Sequence, residues 1–281
     1  SPAVQWAILF VSKRPAERKR CLRGIRMTDT SLQSNTALEN ETTHFGFSTV
    51  AKDEKVTKVA EVFHSVATKY DIMNDIMSFG IHRLWKNNLI DWLQPKINSK
   101  LIDMAAGTGD ITKAYLERIN FEGHSLMVDQ NSEMLNTGKK KLNRYKNIDY
   151  LCAKAEDIPI KDSSFDYYAI SFGIRNVSDI KKTLSEAYRV LKPGGRFMCL
   201  EFSKINNEVI NKFYSIYSKF IPKIGKIVAG DKKPYEYLVQ SIKDFYNQEQ
   251  LLALMKEAKF TNTEYRNLTT GIAAIHSGWK I

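Results

Sequence analysis

The residues with the clearest chemical purpose form one short run, Asp103-Met104-Ala105-Ala106-Gly107-Thr108-Gly109-Asp110. Leu101 and Ile102 lead into it and residues 111–116 leave it with helical spacing, so it reads as a buried strand turning sharply into a helix N-terminus. Glycine adopts positive φ without steric cost, and the first N–H groups of a helix have no partner inside it, so a ligand can approach this backbone closely. Twenty residues beyond Gly109, a second strand-like run ends on Asp129. A carboxylate at that strand tip can accept from both hydroxyls of a ribose, as in adenosine-binding α/β sheets; a helix-start acid is the plainer alternative. After a third strand, 148–152, Glu156 or Asp157 could take an adenine amine, or both could be solvated loop acids. A fourth strand, 165–170, leads into Ser171-Phe172-Gly173-Ile174-Arg175-Asn176, facing the same crevice from its other side. That polar cluster suits substrate chemistry, unless Arg175 simply pairs with an acid such as Asp103 or Asp110.

These residues need a scaffold in which strand ends lie side by side. Apolar runs at 101–104, 124–128, 148–152, 165–170 and 196–202 alternate with helical patterns, the order of a doubly wound, mostly parallel α/β sheet. Asn131 or Ser132 caps one of those helices, and Lys192-Pro193-Gly194-Gly195 stops the helix over 180–191 and launches the fifth strand. A helix over 248–258 and two runs, 263–268 and 272–277, close the chain. Thr269-Thr270-Gly271 would join the two runs as an antiparallel hairpin at the sheet edge, giving seven strands. Upstream, Val56, Val59, Ala60, Phe63, Val66 and Ala67 have helical spacing and 81–93 forms a second helix. Between them the Met- and aromatic-rich run 67–80 suits either a packed helix pair or a cover over a large apolar ligand. An insertion after strand five, 209–238, mixes aromatic residues with lysines. It reads as an amphipathic cover or membrane-touching element, or as a plain core helix.

With 281 residues, 43% of them hydrophobic, the chain suits one α/β domain over 44–281 and an extension over 1–43. Seven basic residues against Glu17 place +6 of the +11 net charge within residues 1–26. Charge concentrated in that way argues against nucleic acid and is compatible with attraction to an anionic membrane surface. The same segment is Arg-rich and acid-poor like a transit peptide, whereas Met27 would make an ordinary start, so an over-extended gene reading is the other explanation. Either way, disorder is expected to about residue 50. Cys21, Cys152 and Cys199 read as buried thiols of a reducing compartment, and neither they nor the histidines show metal-ligand spacing.

With Asp103-x-Ala105-x-Gly107-Thr108-Gly109-Asp110, Asp129 and Ala155-Glu156 in this order, the chain resembles the class I S-adenosylmethionine-dependent methyltransferases. Longer strings narrow the resemblance: Lys69-Tyr70-Asp71-Ile72-Met73-Asn74-Asp75, Ser78-Phe79-Gly80-Ile81-His82-Arg83-Leu84-Trp85-Lys86, Phe172-Gly173-Ile174-Arg175-Asn176-Val177 and Tyr188-Arg189-Val190-Leu191-Lys192-Pro193-Gly194-Gly195. Together they resemble the ubiquinone/menaquinone biosynthesis C-methyltransferase family, from about His44 onward. The resemblance implies S-adenosylmethionine as cofactor, held by Asp103, Gly107, Thr108, Gly109, Asp129, Lys154, Ala155 and Ser171. Lys154 departs from the family's usual Asn or Asp, and Ala106 stands where many relatives carry Gly. It implies methylation of a polyprenylated methoxy-benzoquinol, with a naphthoquinol or a non-catalytic quinol-binding scaffold as alternatives. Arg175, Asn176, Tyr70 and Asp110 would position the phenol or the water that takes its proton. Implied partners are the quinol, a membrane surface, other ubiquinone-biosynthesis proteins and a second copy of the chain. The implied location is the cytoplasmic side of a bacterial inner membrane or the matrix side of the mitochondrial one.

Overall fold

A computed structural model describes residues 42–45, 48–51, 75, 78, 80–205, 221–222 and 233–281. Seven strands form one sheet: β3 (Lys100–Met104), β4 (His124–Asp129), β5 (Ile148–Cys152), β6 (Phe165–Ser171), β7 (Leu191–Phe202), β8 (Thr261–Leu268) and β9 (Ala273–Trp279). Their order is β5-β4-β3-β6-β7-β9-β8, and β9 alone runs against the rest. The expected terminal hairpin is present, with β9 inserted beside β7 and β8 left at the edge. Two further strands, β1 (Thr42–Phe45) and β2 (Ser48–Ala51), pair antiparallel, with Thr43 opposite Val50. Disorder is expected from the sequence to about residue 50, whereas the backbone of 42–45 and 48–51 pairs as strands.

Six helices accompany the sheet among the described residues: α1 (His82–Leu93), α2 (Asp110–Arg118), α3 (Ser132–Lys141), α4 (Ile180–Val190), α5 (Lys233–Asp244) and α6 (Gln248–Glu257). Successive β7 residues point to opposite faces. Met198, Leu200 and Phe202 join a core with Trp85, Tyr115 and Leu238, while Phe197 and Cys199 join a second core with Leu184, Ala187 and Met255. The near-continuous apolar runs are therefore strands covered on both sides, as a doubly wound sheet requires.

Two boundaries differ from expectation. The Lys192-Pro193-Gly194-Gly195 turn belongs to β7 as a bulge: Phe165 pairs with Leu191, but Tyr167 pairs with Arg196. Gly194 has φ +77°, and a Cβ on Gly195 would lie 2.7 Å from the Lys192 carbonyl oxygen, so only glycine suits both positions. The stretch read as an insertion over 209–238 ends in the first half of α5. Tyr235 and Leu238 there are buried in the core with Trp85 and Phe202, as the plain core-helix reading holds. Most of that stretch, the 55–67 helical pattern and most of the 67–80 run, Tyr70 included, lie outside the described residues.

Candidate active site

The order in which strands are added reverses at β3, whose parallel neighbours β4 and β6 lie on opposite sides, so a crevice opens at the carboxyl ends of these strands. Both loops that form it carry a non-glycine residue in the left-handed region, Ala105 at φ 51° and Phe172 at φ 56°. Such strain gathers at functional sites. The loops approach so closely that a Cβ on Gly173 would sit 2.5 Å from the Ala105 Cβ. Gly173→Ala is accordingly expected to destabilise the fold by about 1–3 kcal/mol, as overpacking does, and to weaken cofactor binding; urea unfolding and calorimetry check both. The cavity between the loops is bounded by Met104, Gly107, Asp129, Asn131, Met134, Ala155, Glu156, Phe172 and Asn176, among others.

Within the glycine turn the two glycines do different work. Gly107, at φ 54°, lines the cavity and donates its N–H to Asp129 Oδ2 at 2.9 Å. Gly109, at φ 84°, starts α2, and a Cβ there would meet Leu142 Cδ1 at 2.5 Å. Gly138 of α3 packs on the back of the same turn, where a Cβ would lie 3.1 Å from the Gly107 carbonyl oxygen. Thr108 is buried, and its Oγ1 accepts from Lys141 Nζ at 3.3 Å. Gly109 and Thr108 thus shape the turn from behind.

Asp103 and Asp110 are tied into the scaffold and do not line the cavity. Asp103 Oδ2 accepts from Thr112 N at 3.0 Å and Thr112 Oγ1 at 2.8 Å, clamping α2 to β3. Burial pushes its pKa up to about 7. An acid whose folded pKa exceeds its unfolded value contributes stability at low pH and loses it as pH rises through that window, at up to ~1.4 kcal/mol per pH unit. Asp103→Asn is expected to flatten the fall in urea midpoint between about pH 4 and pH 7. Asp110 accepts from Lys86 Nζ at 2.7 Å and Lys141 Nζ at 2.8 Å. Burial would raise its pKa, but these two ammonium groups outweigh burial and hold it well below the usual carboxylate range. It joins α1, α2 and the end of α3, and a carboxylate held so low is a poor proton acceptor.

The β4 tip carries Asp129, the acid expected at a ribose. Asp129 is buried, and among the described residues its oxygens accept only backbone N–H groups, from Gly107 at 2.9 Å and Asn131 at 2.8 Å. Burial raises its pKa against those two hydrogen bonds. No cation pairs with it among the described residues, and each oxygen keeps a lone pair for a hydroxyl donor. This donor set, beside apolar Met134 and Ala155, fits an adenosyl group. Lys154 is exposed, so Ala155 rather than the lysine side chain faces the cavity. Asp157 is likewise exposed, and so is Cys152, which was expected to be buried but ends the edge strand β5; Cys199, on the inner strand β7, is buried as expected. Glu156 borders the cavity, but its Oε1 holds the start of α4, accepting from Ser178 N at 2.7 Å, Ser178 Oγ at 2.6 Å and Asp179 N at 3.2 Å. The Ser171 hydroxyl is buried, with no hydrogen-bond partner among the described residues.

Across the crevice, Ile174–Asn176 form one turn of 3₁₀ helix. Arg175 pairs with neither Asp103 nor Asp110: its Nη1 donates to Glu201 Oε1 at 2.6 Å and to the Phe172 carbonyl at 2.9 Å. Both partners of this ion pair are almost wholly buried. Burial raises the Glu201 pKa, and the guanidinium opposes that rise. Asn176 lines the cavity, and its Oδ1 accepts from Tyr237 Oη of α5 at 3.0 Å. Glu201 and Tyr237 are absent from the sequence reading. A lone acid closing the apolar run Phe197-Met198-Cys199-Leu200 was a signal for Glu201; none marks Tyr237.

The strand order, glycine turn and strand-tip carboxylate define the class I methyltransferase fold. A Thermotoga maritima structure described as a SAM-dependent methyltransferase, possible histamine N-methyltransferase, matches it at TM-score 0.58 and 19% identity, over 79% of this chain and 100% of its own. A SAM-dependent methyltransferase from Aquifex aeolicus matches at TM-score 0.54 and 17% identity, over 77% of this chain and 98% of its own. Sequence narrows the class: residues 48–280 match the ubiE/COQ5 methyltransferase family, and the chain belongs to that family. A Vibrio parahaemolyticus relative named ubiquinone/menaquinone biosynthesis C-methyltransferase UbiE is 54% identical over 258 residues, 90% of this chain and 100% of the relative. A Ruegeria relative of the same name is 50% identical over 250 residues, 88% of this chain and 100% of its own.

Proposed function

We propose that this methyltransferase uses S-adenosylmethionine to methylate a ring carbon of a polyprenylated methoxy-1,4-benzoquinol. The observation that carries the reading is the pairing, across one apolar cavity, of the buried Asp129 carboxylate with Asn176 and the Arg175 turn. The relatives' names supply the quinone chemistry. When bound, the cofactor would supply an electrophilic methyl and leave as the neutral thioether; the ring carbon, activated by ionisation of its neighbouring hydroxyl, would take that methyl, and the ring C–H proton would then depart and the oxygen regain its own, for a net release of one proton. Asp129 holds the ribose, Gly107 and Ala155 offer backbone to the adenosine, and Met134 and Phe172 exclude water. Opposite charges that disappear in the reaction favour such a dry pocket. Arg175 cannot take the proton, because a guanidinium stays charged. The Arg175–Glu201 pair and Asn176 instead orient the phenol and the water that accepts it.

The test is methyl transfer to a demethylated benzoquinol in lipid vesicles, with labelled cofactor and mass spectrometry of the product. No labelled quinol, with calorimetric binding of S-adenosylmethionine intact, would sink the substrate assignment. The relatives' names pair ubiquinone with menaquinone, so a demethylated naphthoquinol is the second substrate to assay. No described helix is long and apolar enough to cross a membrane. A quinol with a polyprenyl tail, the cationic 1–26 segment and exposed Leu84, Ile97 and Phe121 support peripheral binding at an anionic membrane surface, where vesicle flotation tests it.

A further inference from the structure

Tyr237 sits on α5, 61 positions along the chain from Asn176, yet its hydroxyl and the Asn176 amide meet at 3.0 Å with both side chains buried. Burial pushes the phenol up to about 12, so it stays protonated and donating at any pH an enzyme meets. A primary amide carries one acceptor oxygen and two donor hydrogens. With Oδ1 taken by Tyr237, Asn176 has its Nδ2 hydrogens to offer the cavity that it lines. The neighbouring Arg175 is fixed separately, by Glu201 Oε1 at 2.6 Å and by its own N–H to Glu201 Oε2 at 3.4 Å. The turn is therefore gripped by β7 through one side chain and by α5 through the other.

We infer that Tyr237 is a positioning residue for methyl transfer: its hydroxyl locks the Asn176 amide so that Nδ2 donates to the ring oxygen of the acceptor quinol. This rests on the function proposed above. A donor at that oxygen stabilises the phenolate more than the phenol, and a donor held in place beforehand needs no reorganisation when the charge develops. Were the amide free to rotate, its oxygen would spend part of the time facing the phenolate, and like partial charges would oppose proton loss. The lock also selects acceptors that carry an ionisable oxygen beside the carbon to be methylated.

The experiment uses the full chain. Tyr237→Phe keeps the ring in its packed place and removes the hydroxyl. It is expected to lower kcat by about tenfold, equivalent to ~1.4 kcal/mol, while S-adenosylmethionine affinity stays within about twofold. In an Asn176→Ala background the same change should cost nothing further, because a residue acting through Asn176 has nothing left to act on. Independently of activity, the Asn176 side-chain amide pair, assigned in nitrogen-15 spectra by its loss in Asn176→Ala, should shift in Tyr237→Phe. A kcat within about twofold of the parent in Tyr237→Phe, or a full further loss on top of Asn176→Ala, overturns the inference. An amide pair that does not move overturns it whatever the activity. Should the parent enzyme methylate no quinol while the amide pair still shifts, the substrate reading fails and the lock stands.

Discussion

Replacing Asp129 with alanine is expected to weaken S-adenosylmethionine binding by at least about a hundredfold. The carboxylate is buried, has no cation beside it among the described residues and is held by two backbone N–H groups, so both oxygens remain aimed at whatever occupies the crevice. Hydrogen bonds to a charged acceptor contribute about 1.5–3 kcal/mol each, and two of them give ~3–6 kcal/mol, or two decades and more of affinity at 1.4 kcal/mol per decade. The variant also frees the Gly107 N–H, which loosens the turn itself. A pH arm separates the carboxylate's role from general damage. Burial raises the Asp129 pKa, so affinity in the parent falls as pH drops through that raised value, whereas the alanine variant shows no such dependence. Calorimetric affinity within about threefold of the parent would remove Asp129 from the cofactor site.

Arg175→Met should be the most damaging substitution to stability, at about 3–5 kcal/mol in urea unfolding, because it leaves Glu201 buried and unpaired. The sign of its pH dependence follows. Burial already raises the folded pKa of Glu201, and losing the guanidinium raises it further. The penalty is smallest at low pH, where the acid is protonated folded and unfolded alike, and grows as pH rises through the raised value. Combining Arg175→Met with Glu201→Leu is expected to restore most of the lost stability, since apolar groups can replace a buried ion pair, but not turnover, which stays down by at least about tenfold with cofactor affinity barely changed. A single variant that costs under about 1 kcal/mol would show that the pair is solvated in solution.

Much of this molecule was legible in the order of its residues, because periodicity and turn chemistry are local. Apolar runs of strand length alternating with helical patterns determined a doubly wound sheet, and the Gly107-Thr108-Gly109 turn with Asp129 marked the candidate cofactor site at its centre. Which acid does what was not local. Asp103, Asp110, Asp129 and Glu201 carry the same functional group, and packing alone separated them. Thr112 took Asp103, Lys86 and Lys141 took Asp110, and two backbone amides left Asp129 open to a ligand. Arg175 found its partner 26 residues away, at the end of a strand whose other residues read only as core, and Asn176 found Tyr237 at 61. Pattern reaches as far as a turn of helix or a pair of strands. A hydrogen bond between distant residues depends on how whole elements dock, and only the folded sheet, bringing β6, β7 and α5 to one crevice, could decide it.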